Sequence, residues 1–453
     1  MSQRSGRPEA SEFAKVDAEL LARGFTRMQF DLGRIERLLD LLGSPQRAYP
    51  SIHLTGTNGK TSTARLIDSL LRAFGLHTGR FTSPHLETVR ERISLDGEPV
   101  DEERFVSAYQ EIAPLAELVD RDSDHSLTYF EMTTAMALAA FADAPVDVAI
   151  VEVGLGGAED ATNVLHSPIC VVTPIGLDHT EWLGDTLHDI AVAKSGIIHP
   201  GATVVTAAQP EEAARPILER CADVGATIAR EGGEFGVLRR TLAVGGQVLT
   251  LQGLGAMYED IFLPLHGAHQ AQNAALALAA VEVFFGAGGG EAGRQLDVDT
   301  VRSGFASASS PGRLERVRSA PTILLDGAHN PHGMAATARA LVEEFTFHRL
   351  VAVVAVLADK DAAGLLEQLE PVADAVVVTR SSSPRAMPVA ALAAVAEEVF
   401  GPERVSIEPD LPDAIETAVA LAESDIDGPQ SGVGVLITGS LFTVADARKL
   451  LKR

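Results

Sequence analysis

A glycine-rich turn near residue 58 carries the residues that most clearly could do chemistry. The segment 52–62 reads IHLTGTNGKTS, an apolar run followed by a Gly-rich turn and a helical pattern. In such a turn glycine lets backbone N–H groups face an anion, the helix start adds partial positive charge, and a lysine can reach terminal phosphates. This pattern predicts a nucleotide phosphate site formed by Gly56, Thr57, Asn58, Gly59, Lys60, Thr61 and Ser62.

Two alternative interpretations of the same turn are a plain structural turn and a GTPase loop. Leu54 stands where the strict GxxxxGK[ST] spacing has its first glycine, so the segment could be a Gly-Asn turn with an incidental lysine. A GTPase would use a similar loop, but it would also need a guanine-reading NKxD sequence downstream. No NKxD occurs in the chain. A nucleotide site that is not a GTPase switch is therefore the favoured interpretation.

Three further residues follow or flank predicted strands and could hold or assist a metal ion. Glu152 ends an apolar run, and a carboxylate at the end of a parallel strand suits Mg²⁺, although it could simply cap the next turn. His179 lies in GLDHTEWLG, where a lone histidine is more often a hydrogen-bonded surface residue. Lys194 lies among Ala, Val and Ile, and a buried lysine loses its proton more easily and can react with CO₂. From the residues alone, a surface lysine with its stem on apolar neighbours remains the better interpretation of Lys194.

The composition of the chain argues against nucleic acid and membranes as partners. Lys plus Arg number 37 against 62 Asp plus Glu, and the formal net charge is -25. Because nucleic-acid binders depend on a basic surplus, nucleic acid is not expected as a partner. Cys170 and Cys221 make no disulfide framework, the N-terminus lacks an apolar signal region, and no run of about 18 apolar residues occurs. We expect a cytoplasmic protein without a membrane partner.

The elements that must position these residues alternate between β-branched runs and Ala/Leu/Glu-rich helical patterns, which predicts an α/β fold with parallel sheets. Predicted strands are 51–54, 147–151, 169–173, 203–206, 322–325, 349–356, 375–378, 405–407 and 433–438, and predicted helices of the first half are 61–74, 102–119, 129–141, 186–197, 211–224 and 270–285. The stretch 235–263 reads as β-hairpins. A Gly-rich segment at 286–293 and the polar SASSPGR at 307–313 predict two domains, 1–305 and 306–453.

Taken in order along the chain, a set of motifs resembles the Mur ligase superfamily, and within it folylpolyglutamate synthase and its bifunctional form with dihydrofolate synthase activity. The motifs are FDLGRIERLLDLLGSPQ, GTNGKTS, TSPHL, LTYFE, EVGLGG followed by DATN, LDHTEWLG, HGAHQAQNA, PGRLE, LDGAHNPHG, DKD and TGSLF. The resemblance covers nearly the whole chain. It implies a large N-terminal P-loop ATPase domain with a mostly parallel sheet and a smaller, Rossmann-like C-terminal domain that carries the glutamate-ligase part.

The resemblance also implies roles for individual residues. It implies an ATP-dependent ligase that joins L-glutamate to a dihydropteroate or folate carboxylate through an acyl phosphate, with two Mg²⁺ ions. ATP would contact the glycine-rich turn together with Asn273, Arg313, Asp326 and His329. Mg²⁺ would be held by Ser83, Glu152 and His179, and Lys194 matches a lysine that is carbamylated in relatives, with Lys60, His179 and Lys194 as the catalytic set. The pterin substrate would lie at Asp31, Leu32, Gly33, Thr128, Tyr129, Phe130, Glu131, Glu159, Asp160 and Ala161.

Some residues depart from the resembled family. It usually has an arginine followed by Leu or an aromatic residue where this chain has Ala158 and Glu159, and the change removes a cation and adds an acid. Thr61 stands where most relatives have Gly, and Ser195 where Ala is common. A monofunctional folylpolyglutamate synthase and a nucleotide-binding homologue with weakened catalysis therefore stay open. A muramyl-peptide ligase is disfavoured, because those enzymes carry a UDP-sugar domain ahead of this turn and the 55 residues before Gly56 are too few for one. We expect a monomer.

Overall fold

The computed structural model describes residues 11–24, 30–286, 295–424 and 432–452. Most of the predicted Gly-rich boundary, 286–293, lies outside the described residues. Within them the chain forms three sheets, of which two are mostly parallel and flanked by helices. We call the part up to residue 306 the N-lobe and the part from residue 312 the C-lobe.

The first sheet of the N-lobe is the platform for the glycine-rich turn. Among the described residues it has eight strands in the order β4-β3-β2-β5-β1-β6-β7-β8, and all neighbours from β2 to β8 run parallel. Its strands are β1 (Ser51–Thr55), β2 (Thr78–Phe81), β3 (Ile93–Leu95), β4 (Glu98–Pro99), β5 (Val148–Glu152), β6 (Ile169–Val172), β7 (Thr203–Thr206) and β8 (Thr227–Arg230). The inner strands β1, β5 and β6 are buried along their whole length, which is why they are nearly continuous apolar runs.

The second sheet of the N-lobe is antiparallel. Its strands β9 (Gly236–Ala243), β10 (Gly246–Gln252) and β11 (Met257–Leu263) pair as two hairpins, as the sequence predicts for 235–263. The helices of this lobe are α1 (Glu12–Ala22), α2 (Gly33–Leu41), α3 (Lys60–Ala73), α4 (Glu102–Arg121), α5 (Tyr129–Asp143), α6 (Thr180–Leu183), α7 (Leu187–Ser195), α8 (Glu211–Val224), α9 (Ala268–Phe284) and α10 (Val298–Ala306). Helices α3 and α9 pack on the central sheet in one apolar cluster.

The C-lobe repeats the layered α/β plan on a smaller scale. Its described sheet has the order β12-β13-β17-β14-β15-β16, with only β12 antiparallel to its neighbour. The strands are β12 (Glu315–Ser319), β13 (Thr322–Leu325), β14 (Arg349–Val354), β15 (Ala375–Val378), β16 (Val405–Ile407) and β17 (Val433–Thr438). The helices are α11 (Pro331–Glu344), α12 (Ala362–Leu369), α13 (Val389–Phe400), α14 (Leu411–Glu423) and α15 (Leu441–Leu451).

The predicted α/β class is confirmed, and the nine predicted strands agree with the observed ones to within two residues at each end. The sequence did not predict β2, β3, β4, β8 or β12, which are short, and of these β4, β8 and β12 lie at sheet edges. The boundary at 305/306 stays a prediction. None of the described helices is both long enough and apolar enough to span a membrane.

Candidate functional site

A cavity of about 470 Å³ lies between the two lobes, at the ends of β1, β5 and β6. Both lobes line it. Every residue predicted for catalysis, nucleotide or metal borders this cavity: Gly56, Thr57, Asn58, Gly59, Lys60, Thr61, Ser62, Ser83, Glu152, His179, Lys194, Asn273, Arg313, Asp326 and His329. The carboxyl ends of parallel strands are where open α/β sheets bind ligands, which accounts for its position.

The glycine-rich turn leaves β1 and enters α3 with its backbone held close to neighbouring elements. Gly56 has φ +139°, and a Cβ there would lie 1.9 Å from the Thr173 hydroxyl oxygen, so only glycine fits. Lys60 Nζ donates to the carbonyl oxygens of Gly56, at 2.9 Å, and Thr57, at 3.2 Å. Helix α3 has no side-chain cap at Gly59. Its first N–H groups and the Lys60 ammonium therefore form a cationic end suited to phosphate.

Glu152 faces this cationic end from β5. Its side chain is buried, and the Thr61 hydroxyl donates to both carboxylate oxygens at 2.9 Å, while the Ser83 N–H donates at 3.3 Å. Burial raises the pKa of Glu152, and the nearby Lys60 opposes that rise. An acid on a strand beside the hydroxyl that follows the loop lysine is the donor set with which P-loop enzymes hold Mg²⁺.

Lys194 lies on α7 with its side chain buried. Its Nζ donates to the Gly56 carbonyl oxygen at 2.9 Å, the same atom that Lys60 contacts. Burial, and then the charge of Lys60, lower the pKa of Lys194 to about 7. The surface alternative for Lys194 is therefore wrong, because the amine lies inside the cavity wall and a large fraction is neutral at pH 7.

His179 lies beside a cluster that joins the two lobes. Asp178 accepts from Lys360 Nζ of the C-lobe at 2.5 Å and from the Asn330 side chain at 2.9 Å, and His329 Nε2 lies 3.7 Å from it. Burial, and then Lys360, lower the pKa of His179 to about 4, so the ring is neutral at pH 7. Lys360 Nζ lies 3.3 Å from His179 Nε2.

Asp178 and Lys360 have no role predicted from the sequence, although they lie in the motifs LDHTEWLG and DKD. Their side chains are only 8% and 6% exposed, and 182 residues of sequence separate them. Spacing along the chain cannot predict such a pair. The available signal was the charge of Lys360 in DKD, which follows a buried strand of the C-lobe.

Asp326 and Arg313 line the cavity from the C-lobe. Asp326 follows β13 and accepts from the N–H of Leu314 at 2.9 Å, the N–H of Ala328 at 3.0 Å and the Thr337 hydroxyl at 2.8 Å. These bonds fix the carboxylate in the turn before α11. Arg313 donates to the Gly312 carbonyl oxygen at 3.2 Å. Asn58 and Asn330 exchange two side-chain hydrogen bonds of 3.2 Å across the lobes.

The residues predicted for the pterin substrate lie beside the cavity rather than among those that line it. Arg34 is buried between Asp31, at 3.2 Å, and Glu131, at 3.1 Å, and thereby joins two of the three predicted segments. Thr128 and Glu131 form a capping box at the start of α5. Phe130 contacts Gly154, where an added Cβ would lie 2.5 Å from the Phe130 ring, and Gly154 lines the cavity.

The third predicted segment is divided between surface and interior. Glu159 is exposed, whereas Asp160 is buried and accepts from the Leu155 N–H at 2.9 Å, the Thr162 N–H at 3.0 Å and the Thr162 hydroxyl at 2.5 Å. Ala161 begins a buried 3₁₀ turn. Asp160 therefore holds the Gly-rich turn after β5 in this structure. Leu32 precedes α2, and Tyr129 lies under the Arg92 guanidinium, 5.0 Å from the ring centre.

The described ranges contain no group of three or more His, Cys, Asp or Glu side chains placed to hold a metal ion. Two oxygen ligands, the Glu152 carboxylate and the Thr61 hydroxyl, lie together. Ser83 meets Glu152 through its backbone N–H, and its hydroxyl accepts from Arg92 at 3.4 Å. His179 lies against Lys360 and Asp178. Oxygen donors of this kind fit one Mg²⁺, which favours hard ligands and keeps several waters.

Comparison with known proteins decides the family. The Mur ligase middle domain model matches residues 54–281, and the Mur ligase glutamate ligase domain model matches residues 312–441. A dihydrofolate synthase/folylpolyglutamate synthase of Mycobacterium tuberculosis is 53% identical over 447 residues, covering 94% of this chain and 91% of the relative. The chain belongs to the dihydrofolate synthase/folylpolyglutamate synthase family of Mur ligases.

Solved structures of this family agree with the fold. Mycobacterium tuberculosis folylpolyglutamate synthase complexed with ADP superposes with a TM-score of 0.93 at 51% identity, covering 98% of each chain. Escherichia coli FolC in complex with DHPP and ADP gives 0.83 at 30% identity, again covering 98% of each chain. The predicted Mur ligase family is thereby confirmed, together with the α/β fold that has a large, mostly parallel sheet in the N-terminal part and a separate, smaller α/β sheet in the C-terminal part.

Proposed function

We propose that the inter-lobe cavity binds ATP and that the chain joins L-glutamate to the carboxylate of dihydropteroate or of a reduced folate. As a member of its family the chain is an ATP-dependent acid–amino-acid ligase that uses Mg²⁺. The observation that carries the proposal is the meeting of Lys60, the Glu152–Thr61 pair, and Arg313 with Asp326 in one cavity. The names of the relatives support both dihydrofolate synthase and folylpolyglutamate synthase activity.

The reaction must first activate a carboxylate, because its oxygen is a poor leaving group toward an amine at neutral pH. The acceptor carboxylate attacks the γ-phosphorus of ATP, the bond to the bridging oxygen breaks, and ADP and an acyl phosphate form. Lys60 would neutralise charge on the transferring oxygens. The predicted set Ser83, Glu152 and His179, joined by the Thr61 hydroxyl beside Glu152, would hold Mg²⁺, and the ion would supply polarisation of the phosphate oxygens. The α-amino group of L-glutamate then attacks the acyl carbon, loses a proton, and inorganic phosphate leaves.

We propose a specific chemical role for Lys194. Its Nζ is buried and donates to the Gly56 carbonyl oxygen in the glycine-rich turn 56–62, which we call the phosphate loop. Its pKa is lowered to about 7. CO₂ combines with a neutral amine, so these surroundings favour the predicted carbamate. A carbamate would exchange a positive charge for a negative one and supply the oxygens that a second Mg²⁺ requires.

Positioning accounts for much of the expected rate. Holding two reactants in line contributes up to about 7 to 11 kcal/mol in favourable systems. A Cβ added at Gly59 would lie only 2.7 Å from Asn273 Oδ1, so α9 packs directly on the phosphate loop. Asn273, Asp326 and His329 are proposed nucleotide contacts, and the predicted domains 1–305 and 306–453 would close on the nucleotide. The residues around Arg34 are proposed to hold the pterin.

The proposal includes a monomer that acts in the cytoplasm. A single chain supplies both walls of the cavity. Both cysteines are buried and free, as expected in a reducing compartment.

The test is ADP release by the purified protein with L-glutamate, offering dihydropteroate and tetrahydrofolate separately. A bifunctional enzyme releases ADP with both acceptors, and a monofunctional folylpolyglutamate synthase only with tetrahydrofolate. Lys60→Ala should lower the rate by at least about 10³-fold, because the transferred phosphoryl group loses its cation. Lys15→Ala on the surface of α1 is the control. Absence of glutamate-dependent ADP with either acceptor would leave a nucleotide-binding homologue without catalysis.

A further inference from the structure

Glu344 ends α11 in the C-lobe, and its side chain reaches into the N-lobe. The side chain is 4% exposed. One carboxylate oxygen accepts from the Gly267 N–H at 2.5 Å and pairs with Arg240, while the other lies 2.8 Å from His266 Nδ1. All three partners belong to the N-lobe. A C-lobe carboxylate is thus surrounded by N-lobe donors.

These contacts lie at the start of α9. The helix begins at Ala268, and its N-cap residue Gly267 has no side chain that could accept a hydrogen bond. The first N–H groups of a helix lack partners within it, and this end carries partial positive charge. Glu344 accepts from the N–H of the N-cap residue Gly267 and brings negative charge to this helix end, from more than 70 residues further along the chain and from the other lobe.

The N-lobe side of this contact is itself fixed. Arg240 on β9 donates to the Gln247 side-chain oxygen at 2.6 Å. Gln247 in turn donates to the carbonyl oxygens of Leu265, at 2.8 Å, and Gly267, at 3.1 Å. Glu344 is therefore the C-lobe member of a network whose other members hold the segment before α9.

The same helix lines the proposed nucleotide cavity. Ala268, His269, Gln270, Gln272 and Asn273 of its first two turns border the cavity. The His269 ring packs against Gly267, where a Cβ would approach it to 2.3 Å. At the other end of α11, Asn330 pairs with Asn58 of the phosphate loop. Helix α11 therefore spans the cleft, with one end at the glycine-rich turn and the other at α9.

We propose that Glu344 is a positioning residue for nucleotide binding: from the C-lobe it fixes the first turns of α9 and with them the α9 wall of the nucleotide cavity. The inference rests on the proposed function of that cavity. It assigns Glu344 no contact with the reacting atoms. Its loss should weaken nucleotide binding more than it slows phosphoryl transfer.

The test compares the wild type with Glu344→Gln, which keeps the side-chain volume and removes the charge. The affinity for ADP with Mg²⁺ is measured by calorimetry, and kcat and KM for ATP by glutamate-dependent ADP release. We expect the ADP Kd and the KM for ATP to rise about tenfold, the size typical of a lost hydrogen bond to a charged group, with most of the loss in KM rather than kcat. Glu344→Asp, which restores the charge, should recover part of the affinity.

Glu343→Gln is the matched control, because this neighbouring carboxylate is 39% exposed and also pairs with Arg240 but does not reach α9. It should change the ADP Kd by less than about twofold. Hydrogen exchange of the first-turn amides of α9 adds a readout that does not depend on activity, and exchange should accelerate in Glu344→Gln.

Three outcomes would overturn the proposal: an unchanged ADP Kd in Glu344→Gln, an equal loss in Glu343→Gln, or a loss confined to kcat. If Glu344→Gln only lowers the melting temperature while its ADP Kd stays that of the wild type, Glu344 is structural and the proposal is wrong. Failure of the wild type to bind ADP would instead contradict the proposed function itself.

Discussion

The inter-lobe cleft proposed for the nucleotide and the region proposed for the pterin are held together in different ways. The cleft is joined by hydrogen bonds between lobes, such as Asp178 with Lys360 and Glu344 with Gly267. The pterin region is joined within the N-lobe, by the Arg34–Glu131 ion pair and the capping box of α5. The difference indicates that nucleotide binding depends on how the lobes meet, whereas the pterin region can be preformed in one lobe.

Among the substitutions that compare these two regions, the one at the cleft carboxylate Glu152 should have the largest effect. Glu152→Gln removes the carboxylate charge beside Thr61 and keeps the size of the side chain. We expect glutamate-dependent ADP release to fall by about 10²- to 10³-fold. The rate is measured against Mg²⁺ concentration. Glu212→Gln, on the surface at the start of α8, is the control. A wild-type rate at saturating Mg²⁺ would remove Glu152 from the proposed metal set.

Breaking the pterin region should affect stability without affecting the nucleotide. Arg34→Ala leaves Glu131 buried and without its ion pair, and the free energy of unfolding should fall by about 3 kcal/mol in a urea titration. Arg37→Ala, which breaks an exposed pair with Asp122, should cost less than about 1 kcal/mol. The ADP affinity of folded Arg34→Ala should stay near that of the wild type. An equal loss of ADP binding would mean that the two regions are not independent.

The inter-lobe carboxylate predicts a pH dependence. Burial opposes it, but His266, the Gly267 N–H and Arg240 together lower the pKa of Glu344 below its ordinary value of 4.5. The unfolded chain therefore takes up this proton more readily than the folded chain, so the stabilisation is complete above pH 4.5 and is lost as pH falls through the folded pKa. The difference in melting temperature between the wild type and Glu344→Gln should shrink from pH 7 to pH 3. A constant difference would show that charge contributes nothing there.

The smallest effect is expected from restoring a cation beside the pterin region. Ala158 is exposed, and the motif resemblance predicts an arginine at this position. Ala158→Arg should lower the KM for an anionic acceptor by about two- to fivefold, the size of an exposed ion pair, and leave the KM for ATP unchanged. Ala158→Gln controls for bulk. A higher acceptor KM would indicate that Glu159 belongs to the substrate contacts of this chain.

Much of the site was predictable because it is local in sequence. The turn 56–62 follows a buried strand, and a Gly-rich turn between a strand and a helix has few possible geometries. Glu152 was predictable for the same reason, as the last residue of a buried strand. Lys194 was not: its neighbours fit a surface lysine as well as a buried one, and only the packing of α7 against the phosphate loop places its amine on Gly56.

The sequence by itself determined the family, the α/β class and the strands that carry the phosphate loop, because these depend on local pattern and on motifs in a fixed order. Only the tertiary structure decided the pairing of Asp178 with Lys360 and of Glu344 with the start of α9. Each pair joins residues from different lobes, and no periodicity of the chain encodes which distant charges meet. That choice is made when the lobes pack, since a buried charge is stable only beside a partner.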